Sequence, residues 1–172
     1  MKKSVGLVLM VSIQGEKCAV LQRRGTYNFA DDKPESFPGA CQVTAHGKLE
    51  EGEDFIPGLQ REVAEELGLV LSLEPKHLVL LVEEKKDDTP EKEGKHVITY
   101  GAHLYDASLD LLRKIRLESG SGGLVLLPLS KLDQLLPLDP KADKKDGIKD
   151  RDTYKMFADE IAAVKLAFEK VI

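Results

Sequence analysis

The sequence predicts an α/β or α+β fold in which helices flank a mixed sheet. Three observations support this class: two apolar runs joined by a glycine-containing turn near the N-terminus, a central segment with helical periodicity, and an apolar stripe of helical spacing near the C-terminus. The 172 residues are enough to bury one substantial core. We therefore expect a single domain over residues 1–172.

The chain begins with two predicted strands. The apolar residues 5–13 and 18–21 are separated by a short polar segment that contains Gly15, which is the pattern of a hairpin. Lys2 and Lys3 resemble the start of a secretory signal, but no small-residue cleavage site follows. Since no stretch reaches the ~20 apolar residues of a membrane span, we expect neither a signal nor a membrane protein.

Residues 54–67 form the predicted central helix, after a polar loop at 25–36 and a short strand within 37–47. Gly68 is the residue type that ends helices, and Pro57 falls in the first turn, where its missing N–H costs little. The apolar positions at helical spacing are Ile56, Leu59, Val63 and Leu67.

Two strands and a charged segment are expected after this helix. Residues 77–83 are dense in Leu and Val, and residues 96–105 also read as a strand. Residues 84–95 between them are almost entirely charged, which indicates a solvated loop or, alternatively, a lid.

Short elements are predicted in the next part of the chain. A short amphipathic helix is expected at residues 109–115, a glycine- and serine-rich loop at 119–123, and a buried strand at 124–127. Three further leucines suggest another short helix, namely Leu132, Leu135 and Leu136.

The last helix is expected after a polar connector at residues 139–152, whose lysines are either solvated or in contact with phosphates. Asp152 can cap this helix. Its apolar stripe consists of Phe157, Ile161, Val164, Phe168 and Val171. The stripe predicts a helix packed on the sheet.

The composition limits the class of partner. With 30 acidic and 25 basic residues, the net charge is −5, which argues against a protein that binds nucleic acid or membranes through charge. Cys18 and Cys41 lack the spacing of a structural zinc site or a disulfide framework. We therefore expect a reducing, cytoplasmic setting.

Three glutamates crowd one side of the central helix. At 100° per residue, Glu62, Glu65 and Glu66 share an arc beside the apolar face, and each like-charged pair costs about 0.2–0.5 kcal/mol. A divalent cation would relieve the repulsion, because Mg²⁺ takes carboxylate ligands together with waters and substrate phosphates. Arg61 can orient one carboxylate. The alternative is a solvated acidic face stabilised by Arg61.

The upstream residues favour the metal site. Residues 47–69 read GX5EX7REVAEELGL, with Gly47, Glu53 and Arg61 at fixed spacings. At every specified position this segment resembles the signature of the Nudix hydrolase family, GX5EX7REUXEEXGU, in which U is aliphatic. Nine restricted positions over 23 residues make the match highly specific.

The resemblance implies an α/β/α sandwich with a metal-binding loop–helix–loop. Glu62, Glu65 and Glu66 would bind Mg²⁺ or Mn²⁺, helped by a backbone carbonyl near Gly47. Family members typically cleave a nucleoside diphosphate linked to another group, by attack of water on a phosphorus. We therefore expect hydrolysis of a nucleotide sugar, a dinucleotide or a (d)NTP.

The resemblance also implies roles for other residues. Glu53 and Arg61 would pair and brace the helix. A carboxylate must accept the proton of the attacking water, and the candidates are Glu66 or Glu62 and, on a loop beyond the signature, Glu118.

Phe37, Pro38 and Gly39 stand well ahead of the signature, and this spacing is similar to that of the isopentenyl-diphosphate isomerase branch of the fold. In that branch the positions of His46 and Lys48 carry a catalytic cysteine and a histidine ligand. Cys41 lies five residues too early to replace that cysteine. An isoprenoid diphosphate isomerase is therefore a second hypothesis, and a nucleotide-binding domain without catalysis is a third.

The expected partner is a small-molecule nucleotide, with no nucleic-acid polymer and no membrane. Candidate substrate contacts are His46, Arg23 and Arg24. Dimers are common in families of this kind, so a homodimer stays open.

Overall fold

The computed structural model describes residues 1–29, 32–71, 73–89, 92–104, 108–118 and 120–171. Tyr105 and Ser119, which bound two predicted segments, lie outside the described residues. The strands of the described part are β1 (Lys2–Ile13), β2 (Glu16–Arg24), β3 (Tyr27–Asn28), β4 (Lys33–Pro34), β5 (Cys41–Gln42), β6 (Ala45–Lys48), β7 (Val79–Lys86), β8 (Lys95–Leu104), β9 (Ser121–Pro128), β10 (Leu135–Pro137) and β11 (Tyr154–Met156). The helices are α1 (Phe55–Leu67), α2 (Ser108–Lys114), α3 (Asp143–Asp146) and α4 (Ala158–Lys170), with 3-10 turns at Pro75–His77 and Leu129–Gln134.

A large mixed sheet forms the centre of the fold. Strand β1 pairs in parallel with β8 and antiparallel with β2. Strand β7 continues the sheet beyond β8, and β9 continues it beyond β2, both in antiparallel pairings. The register places Leu9 of β1 between Val20 of β2 and Ala102 of β8.

Strands β1 and β2 separate beyond Leu9 and Val20, and residues 41–48 fill the gap. We call residues 41–48 the wedge segment. Its strand β5 pairs with the end of β2, and its strand β6 pairs with the start of β1. Between them the hydroxyl of buried Thr44 accepts the Leu9 N–H at 2.7 Å and donates to the Val20 carbonyl. The wedge segment thus supplies the hydrogen bonds that β1 and β2 no longer make to each other. It places His46 at the point where the two strands separate, which we call the split.

Two apolar cores lie on opposite faces of the sheet. Alternate side chains of β1 point to opposite faces, as strand geometry requires. The core beneath α1 includes Leu7, Leu9, Leu59, Val63 and Leu67. The core beneath α4 includes Val8, Met10, Val164, Ala167 and Phe168. The predicted α/β/α sandwich, with a mixed sheet between the central and C-terminal helices, is confirmed.

The N-terminal hairpin and the central helix lie where the sequence predicts them. Gln14 and Gly15 form the hairpin turn with φ values of 52° and 82°. Strands β7 and β8 extend further into the charged segment than expected, because β7 ends at Lys86 and β8 begins at Lys95.

Two predictions for the C-terminal part are wrong. Leu135 and Leu136 lie in β10, which pairs in parallel with β11, and only Leu132 lies in a 3-10 turn. Asp152 does not cap α4, because β11 intervenes and Phe157 is the N-cap residue. The cause in both cases is the β10–β11 pairing, which joins segments separated by the connector and leaves no local signal.

Candidate active site

Helix α1 has well-defined ends. Asp54 precedes it with extended backbone (φ −83°, ψ 158°), and Gly68 ends it in the left-handed conformation at φ 61°. Leu59 and Val63 bury the apolar face in the core. These constraints fix the rotation of α1, which packs against β6 of the wedge segment.

Arg61 ties the helix to the loop that precedes it. Its Nε and Nη2 donate to the two carboxylate oxygens of Glu53 at 3.0 and 2.8 Å, and Nη2 also donates to the Lys48 carbonyl at 2.9 Å. The hydrogen bonds from Arg61 hold the pKa of Glu53 below its usual range. This forked, charge-assisted contact makes the loop and the helix one rigid unit.

The same guanidinium holds two of the three crowded glutamates. Its Nη1 donates to Glu62 at 2.9 Å and to Glu65 at 3.1 Å. The Glu62 side chain is nearly buried, whereas that of Glu65 is 57% exposed. Burial raises the pKa of Glu62, although the hydrogen bond from Arg61 opposes the shift. Arg61 therefore neutralises part of the acidic charge of α1.

Gly47 is required by the close approach of Glu62. A Cβ at this position would lie 1.8 Å from the Glu62 Cδ and within about 2 Å of both carboxylate oxygens. No side chain fits there without moving the carboxylate. The first glycine of the signature is thus explained by packing of the Glu62 carboxylate on the backbone of β6.

Glu66 is held by the sheet rather than by Arg61. Its Oε2 accepts from Gln22 Nε2 at 3.1 Å and from the His46 backbone N–H at 3.2 Å. Burial raises the pKa of Glu66 to about 8, and repulsion from Glu62 and Glu118 adds to the shift. The third glutamate is therefore fixed at the split between β1 and β2.

Glu66 lines a cavity of about 250 Å³ at this split. Three acidic side chains and one basic side chain face it, namely Glu35, Glu66, Glu118 and Arg24. The remaining lining residues are Gln22, Asn28, Gln42, His46, Gly120 and Ser121. This composition makes the cavity polar and acidic.

The donor set suits a divalent cation. Among the described residues, no three acidic, histidine or cysteine side chains are grouped as an ion requires, because Glu62 and Glu65 turn toward Arg61. The donors available are nevertheless carboxylate oxygens around a half-buried Glu66, which are the ligands that Mg²⁺ or Mn²⁺ prefers.

The candidate substrate contacts differ in their surroundings. Arg23 is buried, and its guanidinium donates to the carbonyls of Gly39, Thr153 and Arg151, so it fastens the connector to β2. Arg24 lines the cavity and pairs with Glu35.

Four further residues were weighed as site residues from the sequence, namely His46, Glu118, Lys149 and Cys41. Desolvation lowers the pKa of the His46 imidazole, which lines the cavity. Glu118 lines the same cavity, whereas Lys149 of the connector lines a neighbouring one with Arg23. Cys41 is fully buried, and burial raises the pKa of its thiol, which does not favour an isomerase nucleophile.

Sequence reasoning missed Gln22 and Glu35 as site residues. Gln22 is 2% exposed, and its amide bridges Glu66 and the Thr44 carbonyl, the latter at 2.7 Å. A polar residue directly after the apolar run 18–21 was the available signal. Glu35 lies in a polar loop and carries no such signal.

Comparison with known proteins places this geometry in a family. The model of the NUDIX domain matches residues 2–145. No curated protein matches the chain significantly.

The fold is similar to several solved structures. One is a mutT/nudix family protein from Listeria innocua, with a TM-score of 0.63 and 18% identity over 99% of this chain and 93% of that chain. Another is the NUDIX domain of Shewanella oneidensis NrtR complexed with ADP ribose, with a TM-score of 0.61 and 14% identity over 99% and 88%. A third is a binary complex of C. elegans Ap4A hydrolase, with a TM-score of 0.57 and 16% identity over 98% and 96%. Because the NUDIX domain model covers most of its length, the chain belongs to the NUDIX domain family, and the predicted membership of this family is confirmed.

Proposed function

We propose that the chain is a metal-dependent pyrophosphohydrolase that acts on a nucleoside diphosphate linked to another moiety. The observation that carries this proposal is the position of Glu66, which is fixed on the wall of a polar cavity beside Glu62 and Glu65. Glu66 lines this cavity, Glu62 and Glu65 lie on the same helix, and a cation held by these carboxylates would offset the charge of a diphosphate.

Glu62, Glu65 and Glu66 would hold Mg²⁺ or Mn²⁺, together with a backbone carbonyl near Gly47. When bound, such an ion neutralises phosphate charge and lowers the pKa of a coordinated water. The protein keeps the carboxylates in place: Gly47 lets Glu62 approach β6, and the wedge segment holds Glu66.

Arg61 and Glu53 are positioning residues in this proposal. Arg61 contacts Glu53, Glu62 and Glu65 at once. Its fork on Glu53 keeps the guanidinium fixed when Glu62 and Glu65 turn to a cation. The pair thus aligns the acidic face of α1 without contacting the substrate.

The proton of the attacking water requires a carboxylate acceptor. Glu66 is our first choice with Glu62 beside it, because Glu66 faces the cavity. Glu118 is the further candidate, since it lines the same cavity and its backbone N–H donates to the Glu66 carbonyl at 3.2 Å. Arg24 is the cationic side chain on this wall and is proposed to contact a substrate phosphate, with His46 beside it.

The proposed partner is a small-molecule nucleotide, not a nucleic-acid polymer, in keeping with the net charge of −5 and the acidic cavity. None of the described helices has the length and hydropathy needed to cross a bilayer. The free, buried thiols Cys18 and Cys41 support the proposal of a cytoplasmic location. A homodimer remains a prediction.

A substrate panel tests the proposal. Nucleotide sugars, dinucleotides such as diadenosine polyphosphates, ADP-ribose and (d)NTPs are incubated with Mg²⁺ or Mn²⁺ and scored for nucleoside monophosphate or pyrophosphate release. We expect metal-dependent turnover of at least one class and its loss in Glu66→Gln. Binding of nucleotides without turnover would support the non-catalytic alternative, and conversion of isopentenyl diphosphate would support the isomerase.

A further inference from the structure

A second cavity adjoins the proposed catalytic cavity on the α4 side of the sheet. It measures about 270 Å³, and its wall includes Arg24, Gln42 and His46, which also line the catalytic cavity. A molecule whose phosphates are held near Glu66 by the proposed cation can therefore extend past these three side chains into the second cavity.

The second cavity has an apolar part and a polar part. Four hydrophobic side chains from four parts of the fold line it, namely Val43, Val82, Val97 and Phe157, and Glu84 and Thr99 add to its polar side chains. Phe157 precedes α4 and packs edge-on against Phe37 at a ring distance of 5.1 Å. Apolar side chains suit the flat face of an aromatic ring, and the polar side chains beside them can pair with the edge of that ring.

One polar group on this wall lacks a partner. The Oε2 atom of Glu160, in the first turn of α4, is buried and has no hydrogen-bond partner among the described residues. Glu160 and its neighbour Asp159 both line the second cavity. A buried acceptor without a donor is costly, and a group entering the cavity can supply the donor. The last torsion of a glutamate is broad, so a small turn of the carboxyl group brings Oε2 to the cavity.

Electrostatics agree with a missing donor. Burial raises the pKa of Glu160 to about 7, and repulsion from Asp159 adds to this shift, while Arg24 and the backbone N–H groups of Val43 and Phe157 oppose it. The hydrogen bonds and the nearby positive charge thus do not offset the cost of burying the charged Glu160 carboxylate. In Glu53, by contrast, hydrogen bonds from Arg61 and the Glu50 backbone N–H stabilise the charged form.

We propose that the second cavity holds the nucleobase of the substrate and that Glu160 selects a base by accepting its N–H groups. This assignment rests on the proposed hydrolysis of a nucleoside diphosphate derivative and names the part of the substrate that gives specificity. Guanine is the expected base, because its edge carries two adjacent donors, N1–H and N2–H, for the acceptors Glu160 and Asp159. Adenine, cytosine and uracil each lack that pair.

Binding of nucleoside monophosphates tests the assignment without requiring turnover. Isothermal titration calorimetry compares GMP, AMP, CMP, UMP and ribose 5-phosphate on the full chain. We expect GMP to bind at least tenfold more tightly than the other four ligands. In Glu160→Gln the amide N–H₂ faces the donors of guanine, so GMP affinity is expected to fall about tenfold while the affinities of the other ligands stay within twofold.

Glu169→Gln is the matched control, because Glu169 is exposed near the other end of α4. It should bind all five ligands like the parent chain. Equal affinity of the parent chain for the four nucleotides, binding of ribose 5-phosphate as tight as GMP, or an equal loss for all ligands in Glu160→Gln would overturn the assignment. If Glu160→Gln does not fold, the base ranking of the parent chain still decides. A failed substrate panel with intact GMP selectivity would instead reject the hydrolytic function.

Discussion

Helices α1 and α4 each contain 13 residues and lie on opposite faces of the sheet. Each carries a half-buried glutamate, but the hydrogen bonding of the two carboxylates differs. On α1, Glu66 accepts hydrogen bonds from Gln22 and the His46 N–H. On α4, Glu160 keeps one oxygen without a partner among the described residues. Burial raises the pKa of both carboxyl groups, to about 8 and about 7.

This difference is consistent with a role of Glu66 in the reaction itself and a role of Glu160 in the choice of substrate. On the α1 side each glutamate already has a hydrogen-bond donor, Arg61 for Glu62 and Glu65 and the sheet for Glu66, as expected of residues that serve any substrate. On the α4 side, a buried carboxylate oxygen of Glu160 lacks a donor among the described residues beside a cavity of mixed polarity, as expected of a residue that selects one particular ligand. The following variants test this division.

The largest effect is expected for Glu66→Gln. Turnover should fall about 10²–10⁴-fold, because the amide keeps the contacts with Gln22 and His46 but loses the charge that a cation and a proton require. Steady-state kinetics with Mg²⁺ or Mn²⁺ measures the loss, with circular dichroism as the test of folding. Glu51→Gln, at an exposed position before the helix, is the control, and equal turnover of the two variants would contradict the role of Glu66.

Gly47→Ala tests the packing of Glu62 on β6. The new Cβ would fall 1.8 Å from the Glu62 Cδ, so the carboxylate must leave its place and turnover should drop about 10²-fold, the lower range for a lost acid–base group. Gly15→Ala is a contrasting variant: with φ 82° and nothing within 4 Å, it should lower stability but not kcat. Full activity of Gly47→Ala would show that the close approach is unnecessary.

Arg61→Lys should have a smaller effect, about tenfold on kcat and on metal affinity, as is usual for residues that orient metal ligands. Lysine keeps the charge but cannot form the fork on Glu53 while contacting Glu62 and Glu65. Arg113→Lys, at an arginine whose side chain is 75% exposed, is the matched control. Unchanged metal affinity in Arg61→Lys would contradict the proposal that Arg61 positions the metal-binding glutamates.

Glu160→Gln should change stability in a pH-dependent way. The folded pKa of about 7 exceeds the unfolded value of about 4.3, so the parent chain loses stability as the pH rises from about 4.3 to about 7. The variant avoids this loss and should be more stable by about 4 kcal/mol at pH 8, with the gain vanishing toward pH 4. Urea unfolding at pH 5 and pH 8 measures the difference. A stability gain of Glu160→Gln that is the same at both pH values would contradict the claim that burial of the charged Glu160 carboxylate destabilises the parent chain.

The same contrast explains what the sequence predicts and what it does not. The spacing from Gly47 through Glu53 and Arg61 to Glu66 lies within 23 contiguous residues, and helical geometry alone brings the three glutamates to one side. The strand alternation of β1 likewise places Leu7 and Val8 in different cores. These features were accessible because local periodicity determines them.

Features that depend on distant segments were not accessible. Thr44 bridges Leu9 and Val20 at the split, although it lies 35 and 24 residues away from them in the chain. The environment of Glu160 is built by β5, β7, β8 and the start of α4, with no spacing rule that relates them. The β10–β11 pairing, which overturned the cap assigned to Asp152, is non-local in the same way.

Metal binding by the acidic side of α1 is the claim on which the functional account depends. Calorimetric titration of Mn²⁺ into the parent chain, the double variant Glu62→Gln with Glu65→Gln, and the Glu51→Gln control measures it directly. We predict saturable binding by the parent chain and the control, tightened by a nonhydrolysable diphosphate analogue, and at least a tenfold loss in the double variant. Equal Mn²⁺ affinity in all three proteins would contradict the account.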